Sequence, residues 1–219
     1  MEQATQEIPL FPLNVVLFPR MMLPLHIFEE RYKEMINGCL ASDSRFGVVL
    51  IKEGQEVGET AVPHDVGTVA HITRVTSLDQ GRMNLVTLGE RRFRLEEVTQ
   101  RQPYLKGHVR FFEPEPVGEP TPTTQSIEAL RRMLDAYLKS LLGLRGGWVR
   151  EVNSPTDPVE LSFYIATVLR DENDPLQRIL EAPAAVERLE LLTPLLNEAS
   201  KQTRRKLEIR LAGRMGRSN

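Results

Sequence analysis

A stretch rich in proline and glutamate near the middle of the chain most strongly limits the folds open to this sequence. Residues 113–123, EPEPVGEPTPT, contain four prolines and three glutamates. Proline has no amide donor and a fixed φ, so this composition disfavours both a helix interior and a central strand. The 219 residues are therefore predicted to form two parts joined by a linker, with the linker itself at 117–123.

The part before the linker, residues 1–116, has the pattern of a β domain. Short apolar runs with β-branched residues alternate with turns that contain glycine or proline, which is typical of a compact sheet or barrel. One helix is predicted at about 29–41, where apolar residues recur at three- and four-residue steps. The predicted strands are 15–18, 46–51, 68–75, 84–88, 93–98 and 105–112.

The part after the linker, residues 124–212, is predicted to be a helical bundle, followed by a basic tail at 213–219. Asp157, Pro158 and Glu160 have the residue types preferred at the N-cap, first and third positions of a helix. Glycines at 143, 146 and 147 are expected to end the helix before it. The predicted helices cover 124–142, a segment from Asp157, a short segment from Asp174, and a segment from near Pro183 to about Leu211.

Charge and cysteine content indicate the cellular compartment and the partners expected for this chain. The net charge is −2, but residues 201–219 carry +6 and residues 1–200 carry −8. The single Cys39 cannot form an internal disulfide, and no apolar run is long enough to span a membrane or serve as a signal peptide. A cytoplasmic protein with no membrane partner is expected.

Common catalytic and cofactor motifs are missing from the sequence. No glycine is followed by lysine, which excludes a P-loop, and neither G-x-G-x-x-G nor G-x-S-x-G occurs. The four histidines are separated by 38, 7 and 37 residues, which does not suit a metal site. We therefore expect no catalytic residues, no cofactor and no metal. Cys39 is expected to be a small buried apolar residue.

Several motifs in sequence order resemble one known family. The run IPLFPLNVVLFPRMMLPLHIFEERY at 8–32 resembles the opening of the Lon N-terminal domain, the substrate-binding domain of ATP-dependent Lon protease. Similar segments follow at 46–51, 67–75 and 88–95, and the helical part around 154–169 is similar too. The resemblance implies an α+β protein: a PUA-like β pseudo-barrel with one packed helix over 1–116, then a C-terminal helical bundle.

The resemblance also suggests roles for individual residues in the β domain. Gly67, Gly81 and Gly89 are expected at turns or close backbone approaches. The opening motif is expected to supply the core through Leu10, Leu13, Val15, Leu17, Leu25 and Phe28.

What the resemblance implies about function is recognition without catalysis. Lon couples this domain to an ATPase and a Ser-Lys peptidase, and this sequence is expected to contain neither. We expect a non-catalytic protein- or peptide-binding module, an adaptor or a chaperone-like binder. Its expected partners are unfolded or misfolded protein segments, or a partner protein, bound in a groove between the β domain and the helices. The candidate contact residues are Arg20, Met21, Met22 and His26.

Two alternatives involve the C-terminal region. An RNA-binding PUA-like protein could use the basic tail, with Trp148 as the one aromatic outside the expected core available for stacking. Nucleic acid is the less favoured partner because the rest of the chain is negative. The stripe at positions 207, 211 and 215 would also permit self-association through the last helix.

Overall fold

The first part of the chain contains six strands and one α-helix. The computed structural model describes residues 5–56, 61–113, 122–169 and 172–215, with side chains on the last helix through Arg210 and at Ala212. The elements of this part are β1 (Gln6–Leu13), β2 (Met22–Ile27), α1 (Glu30–Leu40), β3 (Arg45–Glu53), β4 (Val62–Ser77), β5 (Met83–Gln100) and β6 (Leu105–Phe111), with a 3-10 turn at Asp79–Gly81.

The second part of the chain is helical in its described residues. Its elements are α2 (Thr124–Leu144), α3 (Pro158–Val168), α4 (Asn173–Glu181) and α5 (Ala185–Met215). Contacts divide the described residues into two units. The first unit contains the strands, α1 and α4, and the second contains α2, α3 and α5. The fold is therefore a mixed α+β fold, as the sequence predicted.

Strand β5 organises the sheet of the first unit. The strand order is β2-β5-β4-β3-β1-β6, and β5 also pairs with β6. One half of β5, residues 83–88, pairs with β2, and the other half, from Phe93 to Gln100, pairs with β6. Five strands thus close into a ring, and β2 lies outside it as an edge strand. The β1–β3 pair is parallel and the other pairs are antiparallel.

Helix α1 packs its apolar face into the core of the first unit. Its buried side chains are Tyr32, Met35, Ile36 and Cys39. The Phe11 ring of β1 stacks on Tyr32 with ring centroids 4.0 Å apart. Cys39 is 3% exposed, and burial raises the pKa of its thiol to about 11. The predicted helix and the predicted burial of Cys39 are both confirmed.

Two of the predicted turn glycines lie inside strands. A Cβ atom on Gly89 would overlap the Phe18 carbonyl oxygen, and one on Gly67 would overlap the Val48 carbonyl oxygen. The close backbone approach is confirmed at both positions, but their placement at turns is wrong. Gly81, with φ of +69°, does lie in a turn.

Three further expectations from the sequence are corrected by the structure. Residues 15–18 are not a strand, because they turn inward between β1 and β2: Leu17 is buried and its carbonyl accepts a bond of 2.6 Å from Thr68 Oγ1. The strands predicted at 84–88 and 93–98 are one strand, since Gly89 continues the ladder. Phe28, expected in the core, is 48% exposed.

Local signals end α2 and begin α3 near the predicted positions, although α2 continues past Gly143 to Leu144. The N–H of Gly147 donates to the Leu142 carbonyl and that of Gly146 to the Gly143 carbonyl, and Gly146 has φ of +79°. These two bonds form a Schellman motif, which ends α2. At the start of α3, the Asp157 carboxylate accepts from the Glu160 amide at 2.9 Å.

A buried cation joins two helices of the second unit. Arg188 on α5 has no exposed surface, and its guanidinium donates to Ser162 Oγ on α3 at 2.9 Å. It also donates to the carbonyls of Ala182 and Pro183 and lies over the Phe163 ring at 4.4 Å. A buried guanidinium needs such a set of acceptors, because leaving a buried charge without its partners costs roughly 3–5 kcal/mol.

Helix α4 belongs to the β unit, although the sequence pattern placed it in the bundle of 124–212. Gln177 Nε2 donates to the Val66 carbonyl at 3.0 Å, and Arg92 Nη1 donates to the Leu180 carbonyl at 2.8 Å. Asn173 Nδ2 also donates to the Asn14 carbonyl at 3.0 Å. The predicted linker at 117–123 falls largely outside the described residues, which resume at 122.

The close approach at Gly89 predicts a large stability effect. Gly89→Ala would force the β5 backbone away from the Phe18 carbonyl and lower the free energy of unfolding by about 3 kcal/mol. The matched control is Gly38→Ala on α1, where an added Cβ meets nothing within 4 Å, and where alanine raises stability by up to about 1 kcal/mol. Urea unfolding followed by circular dichroism measures both. Equal stability of the two variants would contradict the packing described here.

Candidate functional site

Edge strand β2 turns one row of side chains inward and the other outward. Leu23 and Ile27 are buried, whereas Met22, Pro24 and His26 are exposed. Met22 is 69% exposed, the largest value after Trp148 among the large apolar side chains described. Because successive side chains of a strand point to opposite faces, the outward row is a direct result of the strand register.

The neighbouring strand β5 continues this outward surface. Directly paired residues on antiparallel strands point to the same side of the sheet. The pairs are Met22 with Leu88, Pro24 with Val86 and His26 with Asn84. These six residues are called the β2–β5 face below. His26 Nδ1 lies 2.7 Å from Asn84 Oδ1, and the exposed Phe28 ring stacks on His26 with centroids 5.9 Å apart.

The four site residues predicted from the sequence separate into different environments. Met22 and His26 lie together on the β2–β5 face, while Met21 is half-buried against the core. Arg20 is exposed in the turn before β2, where its φ is +64°. Sequence reasoning assigned Phe28 to the core and did not include Val86 or Leu88. Strand alternation through Met22, Pro24 and His26 is the signal that could have found this surface.

Proline in the middle of β2 limits how this edge can be used. The Met21 carbonyl accepts a hydrogen bond from the Gly89 amide. Hydrogen-bonded and non-hydrogen-bonded residues alternate along an antiparallel ladder. The backbone N–H and C=O groups of residues 23, 25 and 27 therefore bond to β5, and those of residues 22, 24 and 26 point away from it. Pro24 has no N–H, so the outward edge lacks a donor at its centre. Such an edge is a poor template for an added strand. A ligand of this face would therefore contact side chains rather than extend the sheet.

A charged cluster borders the β2–β5 face along β5. Glu90, two residues beyond Leu88, accepts bonds from Arg45 Nε at 2.7 Å and Nη2 at 3.1 Å. His71 Nδ1 lies 3.4 Å from the same carboxylate. The hydrogen bond from Arg45 holds the pKa of Glu90 below its usual range. An apolar surface with a fixed polar border is the arrangement found at protein-binding sites.

Within the part of the chain that the structure describes, no three His, Cys, Asp or Glu side chains come together as a metal site would require. Over the same residues, no helix is both long and apolar enough to cross a membrane. What the β2–β5 face can offer is apolar area from Met22, Val86, Leu88 and the adjoining Phe28.

Comparison with known proteins assigns the chain to a family of substrate-binding domains. The chain belongs to the family of ATP-dependent protease La (LON) substrate-binding domains, whose model matches residues 7–198. It is 30% identical over 205 residues to Lon protease of Desulfovibrio desulfuricans, covering 90% of this chain and 22% of that protein. It is 28% identical over 198 residues to Lon protease 2 of Myxococcus xanthus, covering 90% of this chain and 24% of that protein. The chain thus spans about a quarter of the length of these relatives.

Solved structures agree with this family. The crystal structure of a Lon N-terminal domain protein from Xanthomonas campestris matches with a TM-score of 0.65 and 28% identity, covering 86% of this chain and 98% of that one. The N-terminal domain of the Mycobacterium avium complex Lon protease matches with a TM-score of 0.60 and 22% identity, covering 87% and 98%, which supports the fold. The resemblance seen in the sequence is confirmed.

The Arg45–Glu90 pair predicts a pH-dependent contribution to stability. Because the folded-state pKa of Glu90 is lowered, its ionised carboxylate stabilises the fold above the pKa of an unfolded glutamate. This stabilisation is lost as the pH falls through the lowered value. Glu90→Gln should reduce the free energy of unfolding by up to about 1 kcal/mol near neutral pH, and by progressively less below pH about 4.

Urea unfolding at several pH values measures this effect. The control is Glu97→Gln, since the Glu97 side chain is 73% exposed and lies 4.0 Å from His108 Nδ1. A difference between wild type and Glu90→Gln that stays constant or grows on acidification would contradict the assignment.

Proposed function

We propose that this chain is a non-catalytic recognition module that binds unfolded or misfolded protein segments through the β2–β5 face. Membership of the LON substrate-binding family supports binding of protein substrates. The observation that carries the proposal is the exposure of Met22 on edge strand β2 and of Phe28 directly after it, 69% and 48%. Large apolar groups that leave water on binding provide the main driving force for association.

The size of the face indicates weak, adaptable binding. Burying the exposed parts of Met22 and Phe28 would contribute roughly 1 kcal/mol each, before the cost of ordering the ligand. Methionine is flexible and polarisable, so it can fit apolar side chains of different shapes. A face of this kind favours segments whose apolar residues are accessible, and folded proteins keep those residues inside.

Pro24 also supports a preference for side-chain recognition. Because the β2 edge lacks a central donor, a bound segment gains little from backbone pairing. Affinity should therefore depend on the apolar side chains of the ligand more than on its ability to form a strand. The adaptor and chaperone-like roles, and the groove expected between the β domain and the helices, stay predictions.

Binding to a permanently unfolded polypeptide tests the proposal. The full chain is titrated against a fluorescently labelled, reduced and carboxymethylated model protein, and fluorescence anisotropy reports binding. Met22→Ser and Phe28→Ser should each weaken binding by about fivefold, the equivalent of roughly 1 kcal/mol. Leu191→Ser on α5 is the matched control, because Leu191 is 43% exposed and lies outside the first unit.

The possible outcomes test the recognition function and the location of its binding surface separately. The proposed site would be supported if the wild type binds, if Met22→Ser and Phe28→Ser both weaken binding, and if Leu191→Ser leaves it unchanged. Wild-type binding with unchanged Met22→Ser and Phe28→Ser affinity would place the binding surface elsewhere. No wild-type binding at tens of micromolar would contradict the recognition function itself.

A further inference from the structure

A pocket of about 380 Å³ lies between α2 and α5, inside the second unit. It is called the α2–α5 pocket below. Small-molecule sites in proteins have volumes of about 300–1,000 Å³ and mainly apolar walls. The walls here have that character, since α2 contributes Ala129, Leu130 and Met133 and α5 contributes Val186 and Leu189. The recognition proposed above does not involve this pocket, because the β2–β5 face belongs to the first unit.

One turn of α5 brings hydrogen-bond acceptors to the edge of this pocket. The Glu190 carboxylate has no hydrogen bond or ion pair to another residue in the described ranges. Pro194, four residues further along α5, has no N–H, so the Glu190 carbonyl lacks the donor that a regular helix would supply. Thr193 Oγ1 donates its own proton to the Leu189 carbonyl at 2.6 Å, and its lone pairs can still accept. A ligand group with several donors would match this set.

Charge around the pocket favours a cation. Among the described residues that line it, Glu190 alone is charged. Glu187 is exposed one turn earlier on α5, at the i, i+3 spacing that makes helix residues neighbours. The cation between them in sequence, Arg188, is buried and donates to Ser162 Oγ. Its donors are therefore turned to other acceptors, and the rim of the pocket keeps a negative charge.

Ordinary helix chemistry explains each feature separately but not their combination. Exposed glutamates are common on protein surfaces, and a proline inside a helix can simply bend it. Neither requires an apolar pocket beside the unpaired acceptors. A neutral apolar molecule would fill the walls, but covering the carboxylate without giving it a partner costs free energy. An anion would be repelled by the same carboxylate.

We propose that the α2–α5 pocket binds a small primary ammonium that carries a compact apolar body. The ammonium has three donors and binds the Glu190 carboxylate, the Glu190 carbonyl and Thr193 Oγ1. The apolar body lies against Leu130, Met133 and Leu189. This binding is independent of peptide recognition at the β2–β5 face.

Three matched small molecules test the proposal. The protonated form of 3-phenylpropylamine is the probe, with 3-phenylpropanol and 3-phenylpropanoate as its neutral and anionic counterparts. Each is added to the ¹⁵N-labelled full chain, and amide shifts in NMR spectra report both the position and the strength of binding. The amine should shift amides of α2 and α5 beside the pocket, with a dissociation constant on the order of 1 mM, as expected for about ten non-hydrogen atoms. The alcohol should bind about fivefold more weakly, and the carboxylate more weakly still.

Two glutamate variants test the charge contact. Glu190→Gln should remove most of the preference for the amine over the alcohol and leave the affinity for the alcohol nearly unchanged. Glu198→Gln is the matched control, because it makes the same charge change at an exposed residue of α5 that does not line the pocket and pairs with Gln202. It should keep the preference, as should Met22→Ser.

Two alanine variants test the location. Ala129 is exposed beside the pocket, so a leucine there would occupy part of the pocket without replacing a buried side chain. Ala129→Leu should weaken binding of both the amine and the alcohol by at least about fivefold. Ala136→Leu is the control, since Ala136 is exposed on α2 and does not line the pocket. Leucine is nearly as good a helix former as alanine, so both variants should keep α2.

Several results would overturn the proposal. They include no saturable shifts of α2 and α5 amides by the amine below about 5 mM, and equal affinity for the amine and the alcohol. Equal effects of Glu190→Gln and Glu198→Gln, or amine binding that Ala129→Leu leaves unchanged, would also contradict it. Shifts at the pocket that grow with protein concentration while the amine has no effect would identify the pocket as a contact between copies of the chain.

Discussion

The approach of the β5 backbone to the Phe18 carbonyl is the contact on which the rest of the first unit depends. Gly89 allows it, since any side chain there would overlap the carbonyl oxygen. The Gly89 carbonyl and amide then bond to Arg20 and Met21, which sets the point at which β2 begins. Beyond Gly89, the same strand pairs with β6 and closes the ring. One residue without a side chain therefore joins the closed ring to its edge strand.

The register set at this contact decides which side chains of β2 meet solvent. Starting from Met21, alternation turns Leu23 and Ile27 inward and leaves Met22, Pro24 and His26 outside. An exposed edge strand with apolar residues risks pairing with other chains, and Pro24 reduces that risk by removing the central donor. The face can thus expose methionine and a nearby phenylalanine without offering a template for strand addition.

The sequence predicted the elements well where local signals set their limits. Asp157, Pro158 and the glycines after Leu144 are direct determinants of helix ends, and the structure has those ends. The predictions that the structure corrects share a different cause. Residues 15–18 have strand-like composition but are drawn into the core, and Gly89, predicted to separate two strands, lies inside one continuous strand. Both features depend on contacts between segments far apart in sequence, and local sequence patterns do not predict such contacts.

The candidate site shows the same limit. Met22 and His26 were found because they lie in the opening motif, whereas Val86 and Leu88 join them only through strand pairing. Phe28 was assigned to the core because its residue type suggests burial, yet it follows the last residue of an edge strand. The grouping of α4 with the β unit likewise rests on side-chain bonds from Gln177 and Arg92 that no sequence period predicts.

Photo-crosslinking from position 22 tests the central claim most directly. A photoreactive amino acid replaces Met22 in the full chain, and in a parallel protein it replaces Val62, which is 44% exposed on β4 of the same unit. After irradiation with an unfolded model polypeptide, mass spectrometry identifies the crosslinked products. Recognition through the β2–β5 face predicts crosslinks from position 22 in excess over position 62. Equal yields from the two positions, or none from position 22 while the polypeptide still binds, would contradict it.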